Sequence, residues 1–374
     1  MKRLILFILM LMCLFSVDCS AQDVSGEDFY REQYELSGAD GLENILPEET
    51  QEYFNQNGIN PKDPDWVNSL SAENVFSHIW GFLKSGAKTP IAAGGGILAV
   101  ILISAALGSM EINGGVSSAV LYATAISVAA VICIPVFSVI NASVSAMQGC
   151  AVFMSAFVPI FAVIVASAGS AVTSVSMSSL LLGGAQAVNF ISNFVVIPLL
   201  GGFLSISLAT SVSPILARSG IADGIKKLAF WIMSLLTTVF VGILSIQTAV
   251  NASADTLTLK TAKFIVGSSV PVAGTALSEA LTTVTASLGL LKSSVGVYGI
   301  IACCMIFLPL LAELFIWRIT LILNACVSDL FSLSKISGLL RSVDTVISVI
   351  SGIILLTCAM FVISLSVVVT AGKA

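Results

Sequence analysis

TPIAAGGGILAVILISAALGSM, residues 89–110, is a stretch of 22 residues without an acidic or basic side chain. As a helix it is long enough to cross the ~30 Å hydrocarbon layer of a bilayer, which takes about 20 residues. It also opens a region, Thr89 to Thr370, that is almost continuously apolar. The sequence therefore predicts an all-α polytopic membrane protein with about six to eight transmembrane helices.

The composition supports this class and separates the chain into two regions. Hydrophobic residues make up 57% of the 374 residues and charged residues 10%, whereas soluble domains carry about 25% charged residues. Residues 22–88 hold 13 acidic and 4 basic side chains, and the rest of the mature chain holds 7 and 10. The acidity thus belongs to one segment, and no basic surface suggests a nucleic-acid partner.

Residues 1–21 have the pattern of a secretory signal. Lys2 and Arg3 precede a twelve-residue apolar run, and Cys19-Ser20-Ala21 offers small residues to a signal peptidase. We expect cleavage after Ala21. Acylation of Cys19, which Asp18 disfavours, and a retained anchor are the alternatives, and each places the next segment outside the cytoplasm.

Residues 22–88 form this acidic extracytoplasmic segment. Helical spacing is found over 29–36, a turn cluster over 60–65, and an amphipathic helix over 75–83 that follows Ser69 or Ser71 as cap. It contains no cysteine, so disulfides cannot hold it. We interpret it as an arm that docks a partner.

The apolar region shows weak internal similarity. Pro135-Val136 corresponds to Pro271-Val272, and Phe157–Ala162 corresponds to Phe307–Ala312. The similarity divides the chain into a first membrane unit (89–211), a basic connector (212–227) and a second membrane unit (228–374). Chance likeness between helices rich in serine and alanine is the alternative explanation.

Each unit is predicted to contain three spans and one broken element. The spans are 90–109, 151–168 and 188–208, then 228–246, 297–321 and 346–369. The broken elements, 119–147 and 264–291, carry Pro135 and Pro271, because proline removes a backbone donor and disfavours a straight helix. They are interpreted as re-entrant hairpins or pairs of short helices.

The basic connector tests the topology. Three crossings from an external N-terminal segment bring Arg218, Lys226 and Lys227 to the cytoplasm, in agreement with the positive-inside rule. An odd number of crossings per unit gives inverted repeats, as in many transporters. If 119–141 is instead a full span, the repeats are parallel and the connector lies outside.

Few polar groups lie within the apolar region. Glu279 and Glu313, together with Pro135 and Pro271, are the candidates for an intramembrane path, because an intramembrane charge costs ~3 kcal/mol or more and needs a partner or water. Glu279 has a second interpretation, as a solvated residue at the surface. Glu313 and Arg318 point about 140° apart on a helix and are not predicted to pair.

No catalytic pattern is found. The sequence has no P-loop, no GxSxG and a single histidine, and six of its eight cysteines lie in apolar runs. We therefore predict no enzymatic activity, no metal and no cofactor.

One stretch carries a family resemblance: GILSIQTAVNASADTLTLKTAKFIVGSSVPVAGTALSEALTTVTASLGLLK, residues 242–292. It resembles the stage III sporulation protein AE family of endospore-forming bacteria, most specifically over 261–280. The rest of the chain is similar in layout.

The resemblance implies a membrane subunit of the stage III sporulation A complex in the mother-cell membrane around the forespore. The partners it implies are an ATPase, ring-forming subunits and stage II sporulation protein Q, in a channel that maintains the forespore and supports late sigma-factor activity. A secondary transporter with inverted repeats is the second hypothesis from the residues.

Overall fold

The computed structural model describes residues 27–63, 66–67, 72–109, 114–212, 224–225, 227–246 and 274–370. Helices contain nearly all of these residues, and none of them lies in a β-strand. The all-α fold class predicted from the apolar sequence is confirmed.

Three short helical segments come first. They are α1 (Glu27–Leu36), a 3₁₀ helix (Ala39–Ile45) and α2 (Glu48–Gln56). Gly38, at a φ of 75°, makes the left-handed turn between the first two, a conformation that suits glycine. The predicted turn that follows is confirmed, since the Asp63 amide donates to the Asn60 carbonyl at 3.1 Å. We call the described residues of 27–66 the cap.

Five helices and a π turn follow in the described ranges, and the first of these helices lies before the first membrane unit. α3 (Ala72–Gly86) and α4 (Lys88–Ser109) match the predicted amphipathic helix and first span. α5 (Gly114–Ser167) follows, then α6 (Ala171–Ile191), the π turn (Ser192–Val196) and α7 (Ile197–Val212).

The described part of the second unit contains three helices, α8 (Lys227–Ile246), α9 (Gly274–Leu330) and α10 (Ser334–Thr370). α8 begins one residue before the predicted span and ends with it. α9 and α10 form an antiparallel hairpin whose turn contains Ser332 at a φ of 59°.

Five stretches of the described chain are long and apolar enough to cross a membrane: Ile79–Leu107, Tyr122–Ser167, Lys227–Ile246, Ala286–Leu330 and Ser334–Thr370. Tyr122–Ser167 contains 46 residues, which makes it about 69 Å long at 1.5 Å per residue. That is more than twice the ~30 Å hydrocarbon layer. Part of this helix therefore lies beyond the hydrocarbon, and the number of crossings stays a prediction.

The break predicted around Pro135 is absent. α5 runs without interruption through Pro135 and Pro159, so the predicted broken element 119–147 and the span 151–168 are one helix. Proline removes one hydrogen bond and crowds the carbonyl four residues back. Buried neighbours on both sides of Pro135, including Ile132, Val136 and Val139, hold the helix in place against that cost.

The second predicted broken element is described only in part. Pro271 lies outside the described residues, whereas 274–291 are helical and continue into the predicted span 297–321. A different proline does alter its helix. Pro198 follows the π turn, and the wider turn accommodates the carbonyl of Phe194, with which the proline ring would otherwise clash.

The core forms where α5 and α9 pack antiparallel. Met154 Sδ lies 3.6 Å from Cys303 Sγ. Phe153, Phe157 and Phe161 stack along α5 with ring centroids 5.4 and 5.2 Å apart. Glycines of α9 receive these rings, since a β-carbon at Gly299 would overlap Phe157 and one at Gly296 would lie 3.1 Å from Phe161.

The helix lengths of the two units correspond. The first unit has helices of 22 and 54 residues, then a run of 21, 5 and 16 residues through the π turn. The second has helices of 20, 57 and 37 residues. The two longest, α5 and α9, carry the similar segments 157–162 and 307–312. Inverted repeats place equivalent helices antiparallel, as these are.

Candidate functional site

The cap holds itself together with aromatic side chains. Tyr30, Tyr34 and Phe54 are buried. The Tyr30 hydroxyl donates to the Pro61 carbonyl at 2.7 Å, and the Tyr34 hydroxyl donates to the Ala39 carbonyl at 3.0 Å. Burial raises the pKa of the Tyr34 phenol far above its ordinary value, and nearby Tyr30, Asp40 and Glu43 add to the effect.

The cap docks on α9. Trp66 Nε1 donates to Ser294 Oγ at 2.7 Å. The ring of Tyr298, one turn further along α9, lies edge-on to Phe54 at 4.8 Å and to Trp66 at 6.5 Å between centroids. The extracytoplasmic arm predicted from the sequence therefore packs against its own chain in this structure. Its inner face is part of the main hydrophobic core.

The outer face of the cap is acidic. Lys62 forms a 2.7 Å ion pair with Glu35, and the hydrogen bond from Lys62 lowers the pKa of Glu35. Among the described residues of the cap, the exposed basic groups are Arg31 and Lys62. The exposed carboxylates far outnumber them: Glu32, Glu35, Asp40, Glu43, Glu48, Glu49, Glu52 and Asp63. These side chains are exposed to solvent and accessible to a partner.

Two ion pairs join α9 to α10. Arg318 Nε lies 3.0 Å from Asp344, and Arg341 lies 2.7 Å from Asp329. Arg318 thus pairs across the hairpin and not with Glu313, as the 140° separation predicts. Lys335 reaches α5, where its ammonium lies 4.4 Å from the centroid of the Tyr122 ring.

Glu313 is half-buried on α9 beside the junction of α3 and α4. A β-carbon at Gly86 would lie 3.3 Å from Glu313 Cα and Cβ, so the two backbones approach closely there. Glu313 makes no ion pair with any described residue. Within the described chain it is a carboxylate without a countercharge.

The structure does not bring the other predicted site residues together with Glu313. Glu279 lies in the second turn of α9, and its side chain is outside the described atoms. Pro135 lies inside α5, and Lys227 is the exposed first residue of α8. Pro271, Arg218 and Lys226 fall outside the described residues.

Sequence reasoning missed the residues that attach the cap. Trp66 and Ser294 are 228 positions apart, and no periodicity links positions that distant. Asp344 was missed for the same reason. The one available signal was local: Lys292-Ser293-Ser294 is a polar triplet inside an apolar run. In the structure these three residues are buried.

No group of three or more histidine, cysteine or acidic side chains in the described ranges is placed to hold a metal ion. The buried thiols of Cys150, Cys303 and Cys358 lie in the apolar core.

Comparisons with known proteins relate the membrane region to one family. A sequence model described as Stage III sporulation protein AE (spore_III_AE) matches residues 67–372. Stage III sporulation protein AE of Bacillus subtilis (strain 168) is 29% identical over 237 residues, which are 63% of this chain and 59% of that protein. The chain therefore aligns with less than two thirds of this relative. No solved structure matches.

Proposed function

Because this chain belongs to the stage III sporulation protein AE family, we propose that it serves endospore formation as an integral membrane subunit of the stage III sporulation A complex. The match over 67–372 carries this proposal, since it covers every helix from α3 to α10. The apolar helices support a position in a membrane, and the proposal assigns it to the mother-cell membrane around the forespore.

In this proposal the subunit is multi-pass, is not an enzyme and works beside partners that supply energy. The sequence has no nucleotide-binding motif. An ATPase and ring-forming subunits of the same complex, together with stage II sporulation protein Q, are the proposed partners in a channel linking mother cell and forespore. That channel maintains the forespore and supports its late sigma-factor activity.

The cap is the proposed contact with an extracytoplasmic partner. Its aromatic inner face is fixed to α9 through Trp66 and Phe54, which leaves the acidic outer face presented in a defined orientation. Surface charge of one sign steers and selects a partner of the opposite sign. We expect the partner surface to be basic.

Charge reversal on the outer face tests the contact. The variant Glu48→Lys, Glu49→Lys, Glu52→Lys changes three exposed side chains of α2 and leaves the buried Thr50, Tyr53 and Phe54 intact. We expect at least a tenfold loss of co-purified complex from sporulating cells, together with loss of heat-resistant spores. The matched control, with glutamine at the same three positions, should lose less of both.

One result would contradict the contact, and another would call for a further variant. Normal co-purification of the lysine variant would exclude a docking role for this face. Loss of the protein from the membrane would indicate misfolding. In that case a reciprocal charge change at a basic partner residue is the test, because it restores assembly only if the contact exists.

A secondary transporter is the second candidate. The antiparallel packing of α5 and α9, with matching helix lengths in the two units, supports inverted halves, an arrangement found in many transporters.

The variant Glu279→Gln distinguishes a secondary transporter from a structural subunit of the complex. A coupled transporter should lose transport while its thermal unfolding in detergent is unchanged. A structural subunit should retain spore formation with this variant.

A further inference from the structure

Five side chains form a polar stripe along one face of α9: Glu313, Trp317, Thr320, Asn324 and Ser328. Their spacings of four, three, four and four residues keep them within an arc of about 80° on a 3.6-residue helix. The stripe is about 22 Å long at 1.5 Å per residue. It covers most of a ~30 Å hydrocarbon layer.

Glycine faces this stripe from α3 and α4. Gly86 lies against the backbone of Glu313. A β-carbon at Gly94 would overlap the Thr320 methyl group and lie 3.4 Å from Asn324 Nδ2. The stripe is therefore bordered by backbone at these two points, and large apolar side chains do not separate its polar atoms from α4.

Two polar atoms of the stripe are buried without a hydrogen bond of normal geometry in the described chain. Trp317 has no exposed surface, and its indole N–H lies beside the Glu313 carboxylate one turn earlier, outside normal hydrogen-bond geometry. Asn324 is 6% exposed; its Nδ2 donates to the Thr320 carbonyl at 2.9 Å, but its Oδ1 accepts nothing in the described chain. Buried polar groups are normally paired, often through water. The free Asn324 acceptor and the Thr320 hydroxyl, one turn apart, suit a bridging water.

The charge of the stripe is negative. Its carboxylate, Glu313, has no ion pair among the described residues, and Arg318 of the same helix is paired with Asp344 of α10. On α3 and α4 the nearest cations, Lys84 and Lys88, are exposed, and Lys84 lies 6.0 Å from the Trp80 ring centroid. Uncompensated intramembrane carboxylates mark ion or proton paths.

We propose that the polar stripe of α9 relays protons along the α4–α9 interface, with Glu313 as its protonation site. Hydronium at the α3–α4 junction gives a proton to the Glu313 carboxylate and becomes water. The carboxylic acid then passes that proton to a water held by the Thr320 hydroxyl and the Asn324 amide, which restores the carboxylate. No electron is transferred. This activity is separate from assembly into the sporulation complex.

Proton flux through the purified full-length chain tests the relay. The protein is reconstituted into liposomes that contain a pH-sensitive dye, and a potassium gradient with valinomycin drives proton entry. We expect acidification faster than in protein-free liposomes, reduced at least tenfold by Glu313→Gln and by Asn324→Leu. Glu313→Asp should restore part of the flux.

Asp329→Asn is the matched control. Asp329 lies on α9 outside the stripe and is an exposed partner of Arg341, so its neutralisation should leave the flux unchanged. Wild-type flux no faster than in protein-free liposomes overturns the relay, as does full flux through Glu313→Gln. If Asn324→Leu fails to fold, Asn324→Ser tests the same position. Spore counts for Glu313→Gln report the sporulation role separately.

Discussion

At the scale of single residues, glycine decides how closely the long helices approach. Gly299 and Gly296 receive the stacked rings of α5, and Gly86 and Gly94 allow α3 and α4 to lie against α9. Membrane helices gain little hydrophobic free energy by packing on each other, so close backbone approach and van der Waals contact hold them together. Gly289 of α9 has no such role, because nothing lies within 4 Å of a β-carbon there.

Gly299→Ala should therefore destabilise the protein. The new methyl group would overlap the buried Phe157 ring, and overpacking of this kind costs about 1–3 kcal/mol. Gly289→Ala is the matched control in the same helix, and there alanine gains up to about 1 kcal/mol of helix propensity. Unfolding in sodium dodecyl sulfate, followed by circular dichroism, measures both. Equal stabilities for the two variants would show that Gly299 does not hold Phe157.

At the scale of elements, the cap is a small aromatic unit whose stability depends on neutral phenols. Burial raises the pKa of both Tyr34 and Tyr53. Folding of the cap therefore favours the neutral, protonated form of these two phenols over the ionised form. Its full stability is therefore present below the unfolded pKa of about 10, and that stability falls as pH rises above this value.

The cap should accordingly leave α9 at alkaline pH. We expect wild-type protein to show late ionisation of tyrosine by near-ultraviolet absorbance, accompanied by a change of tryptophan emission as Trp66 leaves Tyr298. Tyr34→Phe loses the hydrogen bond to Ala39, worth about 1 kcal/mol at neutral pH, and should delay the alkaline release. Tyr122→Phe, outside the cap, should change neither the stability of the cap at neutral pH nor the pH at which it is released. Release at the same pH in wild type and Tyr34→Phe would refute the role of Tyr34.

At the scale of the whole molecule, the described helices of the two units have the same order of short, long and intermediate runs. If each run crosses once, including the α6–α7 run, whose two apolar helices are each shorter than a span, the chain crosses three times before the basic connector. The connector is then cytoplasmic if the cap is extracytoplasmic, and the units are inverted. The uninterrupted course of α5 through Pro135 supports this parity.

A reporter cysteine at Ser219 tests the topology. Ser219 lies in the connector, outside the described residues. With the native cysteines replaced, Ser219→Cys should resist a membrane-impermeant maleimide in intact cells and react after lysis. Asn44→Cys on the exposed surface of the cap should react in intact cells. Labelling of Ser219→Cys in intact cells would place the connector outside and make the repeats parallel.

Sequence alone determined which residues are helical and apolar, because both properties are local. The start of α3 after Ser71, the end of α4 at Ser109 and the bounds of α8 follow from spacing, capping and the length of charge-free runs. The family resemblance, stated on residues 242–292, was likewise carried by sequence and is confirmed by the match over 67–372.

Tertiary structure alone decided which of these helices continue and what they contact. Pro135 disfavours a helix locally, yet the packing of Ile132, Val136 and Val139 keeps α5 intact. Trp66 donates a hydrogen bond to Ser294, and Arg318 forms an ion pair with Asp344. No periodic pattern in the sequence relates positions so far apart. The polar stripe depends on sequence and on tertiary structure. The spacing of its residues along α9 is given by the sequence, but only the fold places the glycines of α3 and α4 against it.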